Sequence, residues 1–194
     1  MTSQTPSLSF EVFPPNPAVG NEKILRALED MQGLAPHFIS VTASNNKYNI
    51  KETTVPLADH IQNDLAIPTI AHLPAIYLGK EKVADTLRDL DAVGVHRILA
   101  LRGDIIPGVE PLKDFRYATD LIEFIKEEAP QFDIIGACYP EGHPDSPNQI
   151  SDIQNLKKKV DAGSSLTMNV SMIFKINVPW LELMYQFMRV LCQF

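Results

Sequence analysis

The chain has 194 residues, 45% hydrophobic and 21% charged, with a formal net charge of -7. Those values suit one soluble globular domain with a sizeable core. They exclude the basic footprint of a nucleic-acid or anionic-membrane binder. The two cysteines, Cys138 and Cys192, have neither metal-type nor CxxC spacing, so a reduced, cytoplasmic chain is expected. The N-terminus has no basic stretch followed by an apolar run, as a signal peptide would. No apolar run approaches the ~20 residues of a membrane span.

Taken in order, Leu8 to Phe13 is a short β-prone run closed by Pro14-Pro15. Asn21 to Leu34 carries Ile24, Leu25, Leu28 and Met31 at helical spacing, with Asn21 as the expected cap. His37 to Thr42 reads as a strand. Thr53 to Leu65 reads as a helix, with Leu57, Ala58, Ile61 and Leu65 inward and Pro56 tolerated in its first turn. Pro68 to Leu73 is a third strand and Lys80 to Val93 a third helix, with Val83, Leu87 and Leu90 on one face. His96 to Leu101 is the fourth strand, and Tyr117 to Glu128 the fourth helix. Phe132 to Cys138 is the fifth strand, and Ser151 to Ala162 the fifth helix, with Ile153, Leu156 and Val160 inward.

Strand and helix thus alternate five times, which demands a parallel sheet, because parallel strands need a crossover and helices supply it. An open dinucleotide-binding sheet would carry a glycine-rich first turn. The first turn here is Pro14-Pro15-Asn16-Pro17, which favours a barrel, although a complete one takes ~250 residues. The expected fold is therefore α/β, an incomplete (β/α)8 TIM-type barrel of about five strand-helix units. One partial domain spans 1–194: an ordered part, 1–163, and a divergent tail, 164–194, in which Leu181 to Cys192 is apolar nearly all round.

Several runs end in polar residues where a barrel places its chemistry. Leu99-Ala100-Leu101 rises to Arg102-Gly103-Asp104, and Gly136-Ala137-Cys138 to Tyr139-Pro140-Glu141-Gly142-His143. Glu11 alternates with Phe10 and Val12, so it faces away from them. On an interior face, desolvation would raise its pKa and suit it to act as a general acid; on an edge strand it would be a surface glutamate. His72 within an apolar strand reads first as a hydrogen-bonded core histidine. Lys157-Lys158-Lys159 reads as a solvated face or as a phosphate contact. No zinc-type spacing, GxSxG or P-loop is present.

Six stretches in this order also resemble a known family: Ser9-Phe10-Glu11-Val12-Phe13-Pro14-Pro15, Phe38-Ile39-Ser40-Val41-Thr42, Ala71-His72-Leu73, Leu99 to Asp104, Tyr139 to Pro144, and Asn155 to Gly163. The chain resembles the bacterial catalytic-domain type of methylenetetrahydrofolate reductase. The resemblance implies a (β/α)8 barrel holding FAD at the strand C-termini, with NAD(P)H as reductant and 5,10-methylenetetrahydrofolate as substrate. It also implies a place in one-carbon and methionine metabolism, and a homo-oligomer when intact. By resemblance Glu11 is the general acid that assists opening of the folate imidazolidine ring, and Asp104 lies close to flavin and pterin. Thr42, His72, Arg102, Gly103, Asp104, Ala118, Tyr139, His143, Asp152, Asn155, Lys158 and Lys159 match flavin-binding positions, and no metal is expected. The chain departs from the family at Ala43-Ser44-Asn45, where Tyr-Gly-Ala is usual, and at Pro74, where threonine is common. After Gly163 the family pattern fades: Leu166-Thr167 is the last family-like pair, and Met168 stands where a folate-contacting glutamine is expected. A truncation or shifted frame there implies the alternative of an inactive remnant that keeps flavin or partner binding only. A third reading, an unrelated barrel that grips a phosphorylated ligand through its lysines, leaves the six ordered stretches unexplained.

Overall fold

In a computed structural model, the protein is described over residues 8–15, 22–43, 49–139, 143 and 146–169. The expected cap Asn21, Glu141, Gly142 and the apolar run Leu181 to Cys192 lie outside these residues. The described elements are β1 (Ser9–Val12), α1 (Glu22–Gln32), β2 (Phe38–Val41), α2 (Thr54–Asp59), β3 (Thr69–Pro74), α3 (Lys80–Ala92), β4 (Arg97–Leu101), α4 (Ala118–Glu128), β5 (Asp133–Cys138), α5 (Gln149–Asp161) and β6 (Leu166–Asn169). The six strands form one sheet in the order β1-β2-β3-β4-β5-β6, every adjacent pair parallel. Strand order that follows chain order, with a helix between neighbours, is the winding of a (β/α) barrel; a doubly wound sheet reverses at a switch point. The fold is α/β, in keeping with an incomplete barrel.

Strand alternation sorts the apolar residues into two layers. Ile39, Val41, Ala71, Leu73, Ile98, Ala100 and Ile134 point outward and pack under Leu28, Leu57, Ile61, Val83, Leu87, Leu121 and Ile125 from the helices. Ile70, Leu99, Ile135 and Ala137 point to the other face and form a separate inner cluster with Phe38, Leu101, Tyr139 and Met168. That inner layer is the barrel's interior.

Three elements differ from the sequence reading. The second helix changes pitch: after Asp59 it continues as a π-helix, His60–Asp64. Local periodicity does not register such a one-residue widening, which here lets Gln62 Oε1 accept from Thr69 N at 3.0 Å and lead the chain into β3. A sixth strand, β6, lies in the stretch read as tail. Gly163, at φ +116, turns α5 back to the sheet, and Ser165 N donates to Ile134 O at 2.8 Å to start the pairing. Glycine suits that turn because a side chain is strained at such a φ. Finally, Ile153 and Val160, expected inward, are 67% and 50% exposed, and Leu156 is only half-buried. Instead α5 approaches the sheet through Lys159, whose Nζ donates to Ala137 O at 2.7 Å. Spacing identifies an apolar stripe but not which neighbour covers it.

Candidate functional site

The C-terminal ends of β2 to β5 open into one cavity of about 1290 Å³. Its wall brings together Thr42 beyond β2, His72 on β3, Arg102, Gly103 and Asp104 beyond β4, and Ala118 at the start of α4. Tyr139 and His143 beyond β5, with Asp152, Asn155, Lys158 and Lys159 on α5, complete it. All twelve positions expected to bind cofactor therefore share one mouth, although they span 118 positions of sequence, from 42 to 159. Strand ends converge because every parallel strand runs the same way, so the residue after each last rung meets the others at one rim.

Local structure sets each group. Gly103 takes φ +91, which turns the chain after Arg102 and leaves Asp104 exposed at the rim; Arg102 Nε donates to Gly103 O at 3.2 Å. Asp120 Oδ2 accepts from Arg116 N and Tyr117 N and fixes the first turn of α4, so Ala118 and Thr119 face the cavity. Asn148 Oδ1 caps α5 through Ser151 N at 2.9 Å. Asp152, one turn in, accepts from His143 N at 3.3 Å. The Tyr139 and His143 rings meet edge to face, centroids 4.5 Å apart.

The lysine run divides. Lys157 pairs with Asp161 and Lys158 donates to Asn155 Oδ1, while Lys159 lies half-buried with its Nζ 5.9 Å from the Tyr139 ring centre. Burial pushes the Lys159 ammonium below its ordinary pKa, and Asp152 acts the other way. Burial likewise pushes the Tyr139 phenol up, with Asp104 adding to the rise.

Glu11 lies on the interior face of β1, opposite Ser40 in the register with β2. Its side chain is 44% exposed, and partial burial raises its carboxyl above the usual range. It stands 3.6 Å from His72 Nε2. His72 departs from the expectation of a hydrogen-bonded core histidine: it is buried, yet its Nε2 has no hydrogen-bond partner, and burial lowers its pKa to about 4. Thr42 Oγ1 is a second buried, unpartnered polar atom on the cavity wall.

Sequence reasoning missed the apolar rim: Phe13, Ile105 and Ile106 also line the cavity and are 67%, 52% and 38% exposed. Phe13 lies two residues beyond Glu11, so strand alternation alone would have placed both on one face. The Ile105-Ile106 pair follows a glycine turn and carries no such signal.

The buried histidine has a consequence for stability. The unfolded imidazole takes its proton near pH 6.5 and the folded one near 4. Between those values the unfolded state binds more protons, so stability is expected to fall as pH drops from 6.5 to 4, by about 3 kcal/mol. Glu11 has the opposite sign: its raised folded pKa costs stability as pH rises through a window just above 4.5, and partly offsets the slope there. Urea midpoints at pH 7 and pH 4.5 measure the drop, which should shrink in His72→Gln.

A family model described as methylenetetrahydrofolate reductase matches residues 1–190. The chain is 35% identical over 159 residues to 5,10-methylenetetrahydrofolate reductase of Escherichia coli (strain K12), covering 82% of this chain and 52% of that protein. It is 40% identical over 160 residues to the protein of that name from Buchnera aphidicola subsp. Acyrthosiphon pisum, covering 81% and 52%. A probable methylenetetrahydrofolate reductase (NADH) from Oryza sativa subsp. japonica is 33% identical over 172 residues, covering 81% and 29%. The chain thus spans about half the length of the bacterial relatives. Among solved structures, phosphoenolpyruvate phosphomutase from Streptomyces platensis subsp. rosaceus matches with a TM-score of 0.54 and 14% identity, covering 86% of this chain and 60% of that one. A catalytic-lysine mutant of Ruminococcus gnavus sialic acid aldolase matches with a TM-score of 0.56 and 14% identity, covering 86% and 53%. At such identities the likeness is of fold alone. No helix among the described residues is long and apolar enough to cross a membrane.

Proposed function

Since the chain belongs to the methylenetetrahydrofolate reductase family, we propose that its cavity holds FAD and serves the NAD(P)H-dependent reduction of 5,10-methylenetetrahydrofolate to 5-methyltetrahydrofolate. One observation carries the reading: the twelve residues expected at the flavin line a single cavity, and one of them, Thr42, brings a buried hydroxyl with no protein partner. Buried polar groups are ordinarily satisfied, so an orphaned hydroxyl on a cavity wall suits a polar ligand that completes it. The volume also exceeds the 300–1,000 Å³ usual for drug-sized ligands, as a dinucleotide with a second ring system requires.

When bound, the flavin would supply the hydride chemistry between nicotinamide and folate. The chain's own residues bind, orient and move a proton. Lys158 and Lys159 would meet the pyrophosphate as point charges. Thr42, Arg102, Tyr139 and His143 orient the remaining groups, and Asp104 at the rim orients the pterin. Glu11, which keeps its proton to higher pH than an exposed carboxyl, delivers it to the folate nitrogen whose C–N bond breaks as the imidazolidine ring opens.

The visible absorption spectrum of the purified chain, recorded before and after NADH, tests the reading. The expected result is a bound-flavin spectrum that bleaches. Soluble, folded protein that takes up no flavin from a stoichiometric mixture would overturn it.

A further inference from the structure

β1 and β3 do not pair; β2 lies between them. Glu11 and His72 nevertheless approach to 3.6 Å, because the interior face of β2 offers only short side chains beneath them, Ser40 and Thr42. Ser40 is turned aside, its Oγ donating to Phe10 O at 3.5 Å. Among the described residues, His72 is the ionisable group that comes within 4 Å of the Glu11 carboxyl. From β4 the inner layer is Leu99 and Leu101, and the ionic groups Arg102 and Asp104 sit beyond it at the rim. A buried ring nitrogen without a partner is destabilising, yet this one lies 3.6 Å from an oxygen of a half-exposed carboxyl, just beyond hydrogen-bond range.

We propose that His72 is the positioning residue for Glu11: its neutral Nε2–H donates to Oε2, which turns Oε1, the oxygen carrying the proton, toward the cavity. The inference rests on the reading of Glu11 as the acid. The same bond serves both states of the carboxyl. It orients the acid before the proton leaves and holds the anion afterwards. Neutrality is the point, since an imidazolium at this distance would strip Glu11 of the proton it must deliver. The low pKa of His72 keeps the ring uncharged across the neutral range. Nδ1 carries no proton in this arrangement, so one tautomer is required.

The tautomer and the coupling are readable by 15N NMR of the histidine-labelled chain across pH 3.5 to 8, with neither flavin nor folate. The expected spectrum is the Nε2–H tautomer, with two steps in the ring shifts: one at the ring's own midpoint and a higher one at the Glu11 midpoint. In Glu11→Gln the higher step disappears while the tautomer stays, because the amide oxygen still accepts. In Glu11→Asp, one methylene shorter, the step shrinks. An Nδ1–H tautomer, a single step in the unmodified chain, or a higher step that survives in Glu11→Gln overturns the assignment. Failure of flavin to bind would overturn the proposed function and leave this result readable.

Discussion

In the flavin-loaded protein, Glu11→Gln is expected to lower folate reduction by about 10²–10⁴-fold, the usual contribution of a positioned general acid. Reduction of the flavin by NAD(P)H should continue at its original rate, because hydride transfer from the nicotinamide breaks no C–N bond and needs no proton from Glu11. Glutamine keeps the shape and one acceptor oxygen, so packing against β2 is preserved and the loss reports the proton alone. Stopped-flow absorbance separates the half-reactions: bleaching by NADH, then recovery on adding 5,10-methylenetetrahydrofolate. Equal loss in both would show that Glu11 supports the cavity and is not the acid. The raised pKa gives the pH sign. Folate reduction should fall as pH rises through the Glu11 midpoint, where the acid form is lost, and this limb should be absent from the NADH half-reaction.

Phe115→Ala is expected to destabilise the protein by about 3–5 kcal/mol, from lost transfer energy and the cavity left behind. Against a total of about 5–15 kcal/mol for a typical domain, that is enough to unfold a substantial fraction at moderate temperature. Phe115 is 1% exposed, and its ring meets Phe124 on α4 edge to face, centroids 5.4 Å apart and planes at 67°. It is the buried anchor of the segment that runs from Arg102 to Tyr117 around the cavity. The rest of that segment is tied by thinner contacts: Leu112 N to Ile76 O at 2.9 Å, and Ile106 N to Tyr77 Oη at 2.7 Å. The loss should therefore appear twice, as a lower urea midpoint and as weaker retention of flavin under conditions where the protein is still folded. Phe115→Leu refills much of the volume and should cost about 1–2 kcal/mol. A Phe115→Ala protein with unchanged urea midpoint would contradict the packing described.

The family assignment follows from ordered sequence stretches, and so does the strand-helix alternation, because both are written locally. A strand followed by an amphipathic helix and another strand leaves parallel pairing as the workable solution, and a first turn without glycines points away from an open dinucleotide sheet. The sheet-facing positions Leu28, Val83 and Leu87 are legible for the same reason: helical spacing marks an apolar stripe, and here the sheet covers it. Where a different neighbour decides the outcome, spacing failed. Ile153 and Val160 carry the same signal and remain exposed, because α5 meets β5 through the stem of Lys159. β6 was hidden in a stretch whose composition changes, since its strand character comes from pairing with β5.

For the site, sequence determined which residues are available and that Glu11 faces away from Phe10 and Val12. Tertiary structure decided what surrounds them. Whether Glu11 is a surface carboxylate or an interior acid depends on the face of the sheet it occupies and on how far the walls remove water from it. Whether Lys157, Lys158 and Lys159 act together depends on the rotation of α5, which turns Lys159 to the cavity while Lys157 pairs with Asp161 one turn along the same helix. The meeting of Glu11 and His72 is set by the small side chains of an intervening strand, 61 positions separating the two in sequence, from 11 to 72. Alternation and helical period act over a few residues and so can be read from the chain. Desolvation and proximity are sums over neighbours brought in from distant segments, and only the tertiary arrangement of the strands fixes those.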